Sequence, residues 1–129
     1  MKTYRFLLRF NSIFYFITGL WPLIDIVSFM AVTGPKTDIW LVKTVGMLIT
    51  ACSIGMLAAS FRKKPQPDVI LIVIGFAAFL SFVDIYYVLK DVIWPVYLAD
   101  AAVEILLILL WVWWYICKRP AEDEGKKET

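Results

Sequence analysis

Five ionisable side chains interrupt otherwise apolar stretches of this sequence: Asp25, Lys43, Asp84, Asp100 and Glu104. Charges inside such runs are costly, so they are read first as functional positions. Asp100 and Glu104 are four residues apart, so a helix carries both on one face, with Tyr97 three residues before the aspartate. Ser81 and Tyr87 stand three residues to either side of Asp84 and put a hydroxyl on each flank of its carboxyl. Asp25 comes four residues after Trp21 and three before Ser28, and Pro22, which has no N–H, frees a backbone carbonyl nearby. Lys43 shares a helical stripe with Trp40, Gly46 and Thr50. Four carboxyls and one lysine cannot all stand as bare charges in an apolar medium, so the acid excess demands protons, water or a bound cation. The chemistry open to such a set is proton exchange, capture of a cation, or acid–base catalysis by a neighbouring carboxyl pair.

Other chemistries lack their residues. The chain has no histidine, and its two cysteines, Cys52 and Cys117, form no Cys-x-x-Cys pair. Bis-histidine haem, histidine-bound zinc or copper, a histidine base and a disulfide exchange site are therefore excluded, and no cofactor or metal is expected. The net charge of +2 leaves no basic face for a nucleic-acid partner once the flanking lysines and arginines are assigned.

Composition sets the framework that holds these residues. Of 129 residues, 61% are apolar, 16% aromatic and only 19% charged, outside the range of a soluble domain this size. Apolar runs predict membrane spans at about 10–32, 39–61, 69–89 and 95–117, each long enough to cross a bilayer. The breaks are turn chemistry: Thr33 to Asp38 with Gly34 and Pro35, Arg62 to Asp68 with two prolines, and Lys90-Asp91 ahead of Trp94-Pro95. Loops this short make consecutive helices antiparallel neighbours, so the predicted fold is all-α, an integral membrane antiparallel four-helix bundle over residues 1–117. Residues 118–129 read as a disordered polar tail.

Basic residues set the expected direction. Ten of them (Lys2, Arg5, Arg9, Arg62, Lys63, Lys64, Lys118, Arg119, Lys126 and Lys127) flank one side, and only Lys36 and Lys90 the other. Both termini are therefore expected in the cytoplasm, with the first basic-then-apolar run a retained anchor, in a bacterial inner membrane. With about 1.5 Å of rise per residue, the five embedded charges lie roughly 6 to 14 Å from the outer ends of their spans, one polar layer in the outer half of the slab. Trp21, Trp40, Trp94, Tyr86, Tyr87 and Tyr97 toward the outer face, and Trp111, Trp113, Trp114 and Tyr115 toward the inner, read mainly as interface belts. Trp40 and Tyr97, one turn from Lys43 and Asp100, are the exceptions and join the candidate site. Ala51, Gly55 and Ala59 give a small-residue spacing for close helix packing.

With its four spans, cytoplasmic termini and short loops, the plan resembles the DoxX-like small four-helix bacterial membrane proteins in architecture. The leading expectation is a non-enzymatic protein whose outward-facing polar layer binds a small cationic or amphipathic ligand or exchanges protons. It would act through Asp25, Asp84, Asp100 and Glu104, with Lys43 setting the charge balance and Ser81, Tyr87, Trp40 and Tyr97 beside them. It would be transporter-like or an accessory subunit, alone, as a homodimer or in a larger membrane complex, with the lipid bilayer as its constant partner. The alternatives are a membrane enzyme doing acid–base chemistry on a lipophilic substrate, and a purely structural scaffold.

Overall fold

A computed structural model describes residues 2–118 and Glu124, so the tail expected beyond Lys118 lies, Glu124 apart, outside the described residues. Those residues fold without strands into five α-helices: α1 (Lys2–Ile24), α2 (Ile26–Thr33), α3 (Ile39–Ala59), α4 (Pro67–Leu89) and α5 (Val96–Trp113), the last running on into a π-helical turn, Trp114–Lys118. Four stretches, α1, α3, α4 and α5 with its π-helical turn, are long and apolar enough to cross a membrane, which marks the chain as membrane-embedded. Their outer faces carry large apolar side chains such as Phe6, Leu48, Leu71, Phe79 and Leu109, as helices facing lipid do.

The first predicted span differs from the structure in two ways. Helix α1 starts at Lys2, about two turns early, and the helix breaks at Asp25, where φ −143° and ψ 86° leave the helical region. The aspartate caps α2: Asp25 Oδ1 accepts from the Ser28 backbone N–H at 3.2 Å. The indole of Trp21 donates to Ser28 Oγ at 2.9 Å and packs edge-to-face on Phe29, which fixes the angle between α1 and α2. Three residues before the break, Pro22 leaves the Thr18 carbonyl without its helical donor.

Helix α1 packs along α3, and α4 along α5. Gly19 meets Gly46 near one end of the first pair and Arg9 Nε donates to Ser60 Oγ near the other, so α1 and α3 are antiparallel. A Cβ on Gly46 would lie 2.6 Å from the Gly19 carbonyl oxygen, while one on Gly55 would meet nothing within 4 Å. Close approach therefore occurs at Gly46 and not at the Ala51, Gly55, Ala59 spacing. The end that carries Lys2 and Lys118 is solidly packed: Tyr4 meets Trp111 edge-to-face and Trp114 at a tilt, at centroid distances of 5.8 and 5.3 Å, with Met56, Ala59 and Val73 in the same core. Trp111 and Trp114 are thus core residues, not belt residues. At the opposite end, the loops after α2 and α4 meet: Gly34, at φ +99°, lies so close under the Trp94 ring that a Cβ there would be 2.9 Å from it.

Candidate functional site

Between the packed end and the two loops the helices line a partly open cavity of about 580 Å³, within the range of pockets that take small organic ligands. Its floor is set by α1 and α5. Tyr15, fully buried by its edge-to-face contact with Phe76 and by its neighbours, donates its hydroxyl to Glu104 Oε2 at 2.5 Å. Glu104 is itself 1% exposed. One turn along α5, Asp100 faces the cavity, and its carboxyl lies against that of Asp84 from α4, near enough to share a hydrogen bond. A contact between two carboxyls needs a proton or a cation between the oxygens. Asp84 is more than nine-tenths buried, and its Oδ2 has no hydrogen-bond partner.

The loop end of the cavity carries Lys36, the only lysine in its wall among the described residues. Its ammonium donates to the carbonyls of Thr33 at 3.0 Å and Gly34 at 3.2 Å, at the C-terminal end of α2, and lies 5.2 Å from the centre of the Tyr97 ring. Partial burial holds this ammonium below the ordinary lysine value. The Tyr97 hydroxyl meets the Thr33 side chain. The remaining walls are apolar, chiefly Val42, Val45, Leu80, Val83 and Val103.

Of the nine residues singled out in the sequence, Asp84, Asp100, Glu104 and Tyr97 line this cavity and five do not. Asp25 is exposed at the α1–α2 break, Lys43 is half-buried on α3, and Trp40 and Tyr87 are exposed outside the cavity wall. Ser81 is buried one turn before Asp84 and donates to the Ala78 carbonyl at 2.9 Å. Tyr15, Thr33 and Lys36 line the cavity and were not singled out. For Tyr15 a signal exists: Asn11, Tyr15, Thr18 and Pro22 form a stripe at spacings of four, three and four on an otherwise apolar helix. Lys36 gave none, since a lysine in a Gly-Pro loop reads as a direction signal.

A carboxyl cluster in apolar walls favours positive charge. An ammonium about 4 Å from a carboxylate gains about 1 kcal/mol in water but about 4 kcal/mol at an effective dielectric constant of about 20. Among the described residues no three acids or cysteines converge as a metal shell would. No protein-family model, curated protein or solved structure matches the chain, so its likeness to DoxX-like proteins rests on four long apolar helices alone.

Proposed function

We propose that this is an integral membrane four-helix bundle, with both termini in the cytoplasm of a bacterial cell. Its cavity captures a small organic or amphipathic cation, or exchanges protons, at Asp84, Asp100 and Glu104. The observation that carries this reading is that three acids from two helices line one apolar-walled cavity in which Lys36 is, among the described residues, the only basic one. The orphaned Asp84 Oδ2 supports it further, because a buried acceptor without a donor costs about 1–3 kcal/mol until something supplies one.

The test is binding of radiolabelled quaternary ammonium ions, whose charge is fixed, to the full chain in nanodiscs. Asp84→Asn and Glu104→Gln are each expected to weaken binding by about tenfold or more, and the double variant further. Asp25→Asn and Lys43→Gln, outside the cavity, should change it little. Unaltered binding in the double variant rejects the reading.

The Tyr15–Glu104 hydrogen bond favours a second reading, a phenol and a carboxyl working as an acid–base pair on a membrane-dissolved substrate. That reading requires a product, seen by mass spectrometry after incubation with a lipid extract and lost in Glu104→Gln.

A further inference from the structure

We infer that the occupant is a single-chain amphipathic cation that reaches the cavity from within the bilayer, passing sideways between α3 and α4; this rests on the cation-binding reading above. Helix α3 takes its packing from α1, and α4 from α5. The two pairs are tied at the packed end, where Met56 and Ala59 of α3 join Val73 of α4 in the core. Toward the loops α3 and α4 no longer share a core and instead face the cavity from its two sides. Leu41 and Val45 of α3 and Val83 of α4 line it and are still 43%, 49% and 42% exposed. This rim is wholly apolar, so lipid chains lie against it without any polar group being desolvated.

The loop side presents the opposite chemistry. A cation arriving from water there meets the Lys36 ammonium, held on the Thr33 and Gly34 carbonyls, and the Trp94 ring seated on Gly34. Like charges brought this close repel, the more so where the walls exclude water. A cation arriving between α3 and α4 avoids that ammonium and reaches Asp84, the acid contributed by α4 itself. Its head group would lie at Asp84 and Asp100, and its tail along Val42, Val45 and Val83. Each methylene of the tail also concentrates such a molecule in the bilayer, which raises its supply to a lateral gateway.

Tetramethylammonium and decyltrimethylammonium carry similar fixed head groups and differ in the tail. With the full chain in phosphatidylcholine nanodiscs, and empty discs subtracted, the decyl ion should bind at least about tenfold more tightly than tetramethylammonium. Val45→Trp and Val83→Trp should each slow its association about tenfold and leave that of tetramethylammonium within about twofold. Lys36→Gln should speed only tetramethylammonium. Equal affinities for the two ions, or a faster decyl association in Lys36→Gln, overturn lateral admission while leaving cation capture standing. Unaltered binding of both ions in Asp84→Asn removes cation capture itself. The affinity comparison uses only the native chain, so a tryptophan variant that fails to fold does not prevent a decision.

Discussion

At the scale of single residues, the polar groups differ in whether they have partners. Glu104 has Tyr15, and losing that donor leaves a buried acceptor unsatisfied. Tyr15→Phe is therefore expected to lower the unfolding free energy by about 1–3 kcal/mol, read by thermal unfolding in detergent. Asn11 is the converse case: it is 0% exposed, and neither its amide nitrogen nor its oxygen has a partner. Asn11→Leu, of similar size, should raise the unfolding midpoint; a fall would mean that a bound water satisfies the amide. Lys36 supplies a pH dependence. Its folded value lies below the ordinary 10.5, so the folded state holds this proton less tightly than the unfolded chain does. The cost of keeping Lys36 charged in the fold is therefore present at lower pH and relieved as pH rises through the depressed value. Tetramethylammonium should bind more tightly on that alkaline side, and Lys36→Gln should abolish the rise. The acids of this site were legible because a carboxyl in an apolar run is conspicuous. Asp25 was equally conspicuous and proved to be a helix cap, because an aspartate after a proline-disrupted turn can satisfy a backbone N–H locally.

At the scale of elements, the α1–α3 crossing depends on the missing side chains of Gly19 and Gly46. Gly46→Ala would place its Cβ 2.6 Å from a backbone oxygen that cannot swing aside, so the helices must separate. A loss of about 1–3 kcal/mol is expected, together with a change in the cavity that both helices border. Gly55→Ala, facing open space, should be neutral or gain up to about 1 kcal/mol from helix propensity. Melting curves of the two variants under identical conditions decide the matter. Span number and the ends of α3, α4 and α5 were legible to within a few residues, since hydropathy and turn chemistry fix them. Which small residues make the contact was not, because glycines and alanines recur on several faces of α3 and only the partner helix selects among them.

At the scale of the whole molecule, the basic flanks predict a direction across the membrane. In a Cys117→Ser background, Lys64→Cys should be shielded from an impermeant maleimide in intact cells and Asp38→Cys labelled by it. The reverse pattern inverts the proposed topology. The division of the interior into a filled half and a hollow half was not legible, because Trp111 and Trp114 carry the same sequence signature as interface aromatics while the fold turns them inward against Tyr4. That aromatic cluster makes the hollow half a blind alley. A guest would have to leave through the same half of the molecule by which it entered, so what such a recess can tune is dwell time, and net passage to the far side would require prising Tyr4 from both indoles.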